Sequence, residues 1–407
     1  MSTPVMGEVA AHYAAVRETF EGHLDELGAG GAAFCAYVRG EKVVDLYAGR
    51  AAPARSWRQE TPSMLFSAAK GIAGLCALVL YDRGELELDA AVARYWPEFA
   101  AAGKAGITVR QVLTNSAGLP AIPDYEDLFD LSGPDLGENF AAHEEIHRRM
   151  ALSEIQYPVG SPAYHVLTFG YLVGALVRRI TGRDLATFFE EQVRGPLGLE
   201  LWFGPAARDV FDRAAQLHPL MPVPRELTEL IESLERRGVI LPSSSDPESI
   251  CGRAFLAQRG IGVFDVLDRL GADPQFVSAG VGSGDALGTA RGIARMYAVL
   301  SQGGELDGVR LVTPRSIDAF AKVRFRDPDP VLGRPAAWTI GFEGNTQLPL
   351  LGNIYGPSEA AFGKDGAGGQ KGFADPDRRV AVGFVRSHLA DFSPLTVRLV
   401  EALYRCV

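Results

Sequence analysis

The chain has 407 residues, 47% of them hydrophobic and 22% charged, with a formal net charge of −10. That is the composition of a globular protein large enough for a sizeable core, and its acidic balance argues against nucleic acid and anionic membrane surfaces as partners. No uncharged apolar run reaches the length of a membrane span. Cys35, Cys76, Cys251 and Cys406 are scattered without CxxC spacing, so neither a disulfide framework nor a zinc site is expected. Met1–Leu27 lacks the basic start and apolar centre of a secretory signal, and a cytoplasmic setting is the expectation.

In chain order, residues 7–27 carry Val9, Tyr13, Val16, Phe20 and Leu24 at helical spacing. After Gly28–Gly31 a hairpin is predicted, with strands over Ala32–Arg39 and Lys42–Ala48. Pro53 to Pro62 reads as an irregular crossing into a helix that begins near Ser67 and stops near Gly84. A short helical segment follows around Leu86–Trp96, then a helix over Thr108–Leu113. Helices are expected over Gly170–Thr181 and Leu185–Val193. Residues 204–285 read as irregular and mainly helical, with an amphipathic helix over Glu226–Arg237 and a loop at Ser243–Ser245. Thr289–Gln302 is a further helix. Trp338–Glu343, Gly372–Asp375 and Arg379–Arg386 read as strands, and 394–405 as a helix.

Strands at both ends and helices between them predict an α+β fold, three-layer α/β/α. A mostly antiparallel sheet from both chain ends is flanked by terminal helices, with a large helical insertion. The expected division is 1–60 with 290–407 as the sheet-bearing domain, and 61–289 as the mainly helical one.

Three stretches bear chemistry. In Phe66-Ser67-Ala68-Ala69-Lys70, residues three apart share a helical face, so Lys70 can point at Ser67. A serine hydroxyl is a weak nucleophile until a neighbour takes its proton. A lysine does so if burial lowers its pKa. The second stretch, Tyr157 to Val166, is a Pro- and Gly-marked loop that places Tyr164 at the start of a helix. Near a lysine that phenol can serve as tyrosinate or proton relay. In the third, Phe362-Gly363-Lys364-Asp365-Gly366-Ala367, glycines let a substrate approach the backbone, and Lys364 adds a cation opposite the nucleophile. The chain has 34 arginines but six lysines, and two of the six fall in these motifs. A fourth stretch, His143-Glu144-Glu145-Ile146-His147, matches the His-Glu-x-x-His zinc pattern. It lies in polar surroundings with no evident further ligand, and a solvated helix face is the expectation.

The ordered set of motifs resembles the beta-lactamase and penicillin-binding-protein fold of serine hydrolases, and more closely the class C beta-lactamase-like carboxylesterases (family VIII). Asp82–Leu86, Val112–Leu119, Thr181–Leu185, Gly195–Leu199 and Gly288–Gly292 carry the same likeness. The resemblance implies catalytic Ser67, Lys70 and Tyr164, with Ala367, Lys364 and Gly366 forming the oxyanion and substrate-binding strand. It implies no metal and no cofactor.

Two departures matter. Val166 stands where penicillin-recognising members carry asparagine, which favours ester substrates. Asp365 replaces a threonine and is expected to pair with Lys364. No Gly-x-Ser-x-Gly occurs, so a nucleophile elbow of the α/β-hydrolase type is excluded. The expected function is hydrolysis of short- to medium-chain carboxylic esters through an acyl-serine intermediate. The alternatives are acyl transfer, a D-amino-acid amidase or peptidase, a weak beta-lactamase, and a catalytically retired binding module. A small-molecule ester is the expected partner, with homo-oligomers left open.

Overall fold

The computed structural model describes residues 4–222, 225–236, 242–349, 351–390 and 394–407. Its centre is a nine-stranded sheet. The strands are β1 (Met6–Val9), β2 (Gly31–Val38), β3 (Glu41–Ala52), β4 (Arg55–Ser56), β5 (Ala337–Trp338), β6 (Glu343–Gly344), β7 (Phe362–Gly366), β8 (Gln370–Asp375) and β9 (Val380–Arg386). Their order is β1-β3-β2-β9-β8-β7-β6-β5, with β4 paired to β3, and every ladder between them is antiparallel. The β2–β9 ladder, Val38 opposite Val380 through Ala32 opposite Arg386, joins the two parts of the chain at the sheet's middle.

Alternation along these strands feeds two cores. Phe34, Leu46, Val382 and Phe384 face helices α1 (Ala14–Glu21) and α5 (Pro394–Tyr404), which contribute Val16, Phe20, Leu395 and Leu399. The opposite face meets α4 (Ala290–Ser301) and, beyond it, α2 (Lys70–Asp82) and α3 (Thr168–Thr181). Glycine sets the distance at two crossings. A Cβ on Gly383 would lie 2.2 Å from the Ala290 carbonyl, and one on Gly372 would lie 2.4 Å from Ile293. Helix α4 therefore lies almost directly on the backbone of β8 and β9.

Several sequence expectations shift. The residue 7–27 helix is shorter: Gly7–Val9 belong to β1, paired on β3, and only Ala14–Glu21 is α-helical. Trp338–Glu343 is two short strands, because Gly341 turns the chain with φ 78° and presses on Gly74 of α2, where a Cβ would lie 2.3 Å from the Gly341 carbonyl. The Leu86–Trp96 segment holds one 3-10 turn, Val92–Arg94. Helix Leu185–Phe189 continues as a π-helical turn, Glu190–Arg194. The amphipathic helix spans Arg225–Arg236, and Arg237 lies outside the described residues. No helix among the described residues is long and apolar enough to cross a membrane.

Candidate active site

The nucleophile turn begins with an unusual backbone. Phe66 has φ 45°, the left-handed region that costs a side-chain-bearing residue of order 1–2 kcal/mol. Burial of its ring and a hydrogen bond from Leu65 N–H to the Ala286 carbonyl (2.9 Å) hold it there. The turn Phe66–Ala69 then runs into α2. From Thr61 to Leu80 every residue except Ser67 is buried. The fold thus hides a whole segment and leaves one hydroxyl accessible.

Lys70 is 2% exposed. Its Nζ lies 3.3 Å from Ser67 Oγ and donates to the Ser283 carbonyl at 2.7 Å. Burial, reinforced by the like charge of Lys364, pushes the Lys70 amine well below its ordinary pKa; Asp285 opposes this as the lesser influence. Burial therefore favours the uncharged form of Lys70, the form able to accept a proton.

Tyr164 lies between the two lysines. Lys70 Nζ is 4.9 Å from its ring centroid and Lys364 Nζ is 4.8 Å from it. Its hydroxyl is buried and completes no hydrogen bond. Burial raises its pKa and outweighs Lys364 and Ser67, which favour the ionised form. Tyr164 is therefore a phenol with a proton to give, not a tyrosinate.

Backbone clamps fix the tyrosine loop. Asn115, itself at φ 55°, accepts Ala163 N–H on its carbonyl (2.9 Å) and His165 N–H on Oδ1 (3.0 Å). The His165 ring meets the Ala163 carbonyl through Nδ1 and accepts Leu119 N–H on Nε2. Burial drives its pKa down to about 4, so it stays neutral. From the far side, buried Asp329 accepts Tyr164 N–H (3.2 Å) on Oδ1 and the Trp338 indole N–H (3.0 Å) on Oδ2. The Trp338 ring stacks on Tyr164, with centroids 5.3 Å apart and planes 15° from parallel.

Strand β7 closes the site. A Cβ on Gly366 would sit 2.1 Å from the Leu65 carbonyl and 3.0 Å from Ala68 N. Only glycine lets β7 touch the nucleophile turn, so Gly366 spaces the two backbones. Gly366→Ala is expected to lower folding stability by about 1–3 kcal/mol, read as a reduced urea midpoint; an unchanged midpoint would contradict this packing. Ala367 follows in the turn Ala367–Gly369 and lines the same cavity as Ser67.

The expected pairing of Asp365 with Lys364 is not found. Consecutive strand residues point to opposite faces. Asp365 lies opposite Lys371 in the β7–β8 ladder and pairs with it at 2.9 Å. Lys364 instead reaches Glu343 of β6 at 2.7 Å, and Glu343 also holds Arg334 at 2.8 Å. The Glu343 carboxyl is fully buried, yet the charges of Arg334 and Lys364 hold its pKa near 2. The same pairing raises the pKa of Lys364 against the opposing effect of its burial, so Lys364 keeps its charge.

Sequence reasoning missed Ser283, Asp285, Asp329, Arg334, Trp338 and Glu343 as site residues. The His143–His147 helix also departs from expectation. His147 is buried against Trp96 and Tyr171, and His143 Nε2 meets the Ala279 carbonyl at 2.7 Å. Packing against α3 uses the face that was expected to be solvated.

These groups open on a cavity of about 430 Å³. Ser67, Tyr164, Lys364 and Ala367 lie on one wall; Val166, Phe255, Phe264, Leu267 and Phe276 make others apolar. The helical region 250–277 supplies Phe255, Val263, Phe264, Leu267, Leu270 and Phe276 to that lining.

A protein-family description, Beta-lactamase, matches residues 16–394. The chain is 31% identical to the esterase/beta-lactamase LipL of Mycobacterium tuberculosis (strain ATCC 25618 / H37Rv), over 97% of this chain and 85% of that one. Among solved structures it is similar to a penicillin-binding protein homologue from Caulobacter crescentus, with 33% identity, TM-score 0.81, and 99% and 100% of the two chains covered. It is also similar to a family VIII carboxylesterase, with 29% identity, TM-score 0.79, and 99% and 100% covered.

Proposed function

The chain belongs to the beta-lactamase family of serine hydrolases, and from that premise we propose that it cleaves carboxylic esters of short- to medium-chain acids through an acyl-Ser67 intermediate. One observation carries the proposal: a buried amine, its pKa pushed well down by that burial, 3.3 Å from the single accessible hydroxyl of its turn, at the wall of a mainly apolar cavity. Apolar walls take an acyl chain and exclude water around the reacting carbonyl.

In acylation, Ser67 Oγ attacks the ester carbonyl and its proton passes to Lys70 Nζ. The oxyanion lies against the N–H groups of Ser67 and Ala367, with charged Lys364 close behind. Tyr164 hands its phenolic proton to the leaving alkoxide and is reprotonated from Lys70, whose Nζ lies 4.9 Å from the tyrosine ring centroid. Water then enters and its oxygen bonds the acyl carbon as its proton passes to Lys70, with Tyr164 as relay; Lys70 returns that proton to Ser67 Oγ as the acyl–oxygen bond breaks, which frees the acid and restores the serine. Val166 puts an aliphatic side chain where an amide would help hold a beta-lactam side chain, which supports ester over lactam substrates.

Intact-mass spectrometry after a fluorophosphonate probe, with peptide mapping, tests the reading. One adduct, on the peptide that contains Ser67, supports it; an unlabelled protein overturns it. Tyr164→Phe is expected to lower kcat on ethyl esters by about 10²- to 10⁴-fold. The loss should be smaller on nitrophenyl esters, whose leaving group departs without a proton. Equal losses on both would remove Tyr164 from the leaving-group step.

A further inference from the structure

Lys364, Arg334 and Lys371 all line the cavity that holds Ser67. Each is matched from within the protein. Asp365 pairs with Lys371, and Glu343 bridges Lys364 and Arg334. Glu343 itself is wholly buried in the strand behind. Its two oxygens are divided, Oε2 on Lys364 at 2.7 Å and Oε1 on Arg334 at 2.8 Å. This is the geometry in which two cations would grip the carboxylate of a bound ligand.

We propose that Glu343 is a specificity-determining residue: a built-in carboxylate that occupies the anion-binding position of Lys364 and Arg334 and so restricts this site to uncharged esters. Lys364 and Arg334 share the single carboxylate of Glu343, which leaves one net positive charge among these three groups. The tetrahedral intermediate of a neutral ester brings one negative charge, and the two match. An ester that already carries a carboxylate brings a second, with no unpaired cation to receive it in a largely apolar space. Glu343 acts through Lys364 and Arg334, not on the reacting atoms.

The inference rests on the ester-hydrolase reading, and the test separates the two. Wild-type protein is assayed with p-nitrophenyl butyrate and with two anionic relatives: mono-p-nitrophenyl succinate, charged on the acyl side, and 4-carboxyphenyl butyrate, charged on the leaving group. Wild type is expected to favour the neutral ester at least 100-fold in kcat/KM over both. Failure to turn over any of the three would count against the ester-hydrolase reading itself. Comparable turnover of neutral and anionic esters would overturn the role of Glu343 alone.

Glu343→Gln is expected to narrow the neutral-to-anionic ratio at least tenfold for at least one anionic ester. Lys364→Met, which leaves Glu343 with Arg334 alone, is expected to widen the ratio at least threefold, and it supplies the answer if Glu343→Gln fails to fold. A merely structural role for Glu343 would change all three substrates together. Ratios that stay at the wild-type value in whichever variants fold would assign the discrimination to the apolar walls and overturn the proposal.

Discussion

Ser67→Ala is expected to lower kcat on a p-nitrophenyl ester by about 10⁴- to 10⁶-fold and to leave folding stability almost unchanged. The two halves of that expectation have separate causes. In the proposed mechanism the removed oxygen is the atom that bonds the acyl carbon, and no other accessible hydroxyl in the stretch Thr61–Leu80 replaces it. The retained Cβ keeps the turn packed, and the partial exposure of Ser67 means that few buried contacts are lost. Residual turnover would come from the backbone donors and from Lys364, which polarise a bound carbonyl without a nucleophile. Steady-state rates with thermal melts on the same preparation check it. Retention of activity within tenfold would remove Ser67 from the chemistry.

Lys70→Met is expected to cost about 10³- to 10⁴-fold in kcat/KM while raising stability at neutral pH. Methionine fills the buried volume without the amine. In the proposed mechanism the amine is the base, a role open to it only when unprotonated. Its pKa is well below 10.5 through burial and the neighbouring Lys364 charge. Activity should therefore rise as pH increases through that lowered value and then level off, and the rise should vanish in Lys70→Met. The stability sign follows from the same shift. The folded pKa lies below the unfolded one, so the unfolded chain binds more protons and the wild type gains stability as pH rises. Methionine has no such dependence, and its advantage should be largest in acid and shrink toward pH 10. A variant with wild-type rates and an unchanged pH profile would assign the base elsewhere.

The parts of the site legible in the sequence were those fixed by short-range geometry. Ser67 and Lys70 lie one helical turn apart, and turn spacing alone brings them together. Tyr164 was legible because Pro158, Gly160 and Pro162 mark a loop that must end in a helix. The sheet-bearing ends showed through the apolar runs of β2 and β9 and the tight turns at Gly40-Glu41 and Pro376-Asp377. Glu343, Arg334 and Asp329 were hidden because their partners come from elsewhere in the fold: Asp329 meets Tyr164 from the far end of the chain. Asp365 misled because adjacency in sequence is separation on a strand. Met6–Val9 misled because four residues are too few to tell a period of 2 from one of 3.6.

The β2–β9 ladder has a consequence for how the protein is made. It pairs residues near the start of the chain with residues that emerge close to its end, so the central sheet has high contact order and is slow to form. Ser67 and Lys70 leave the ribosome early, yet Lys364, the charge that helps strip the proton from Lys70, and β7, the strand that braces their turn, are still unsynthesised. On the proposed mechanism, a nascent chain holds the nucleophile without its activation. On that mechanism reactivity waits for β7 to β9, and a product terminated before them would be chemically silent, with an open sheet edge vulnerable to aggregation.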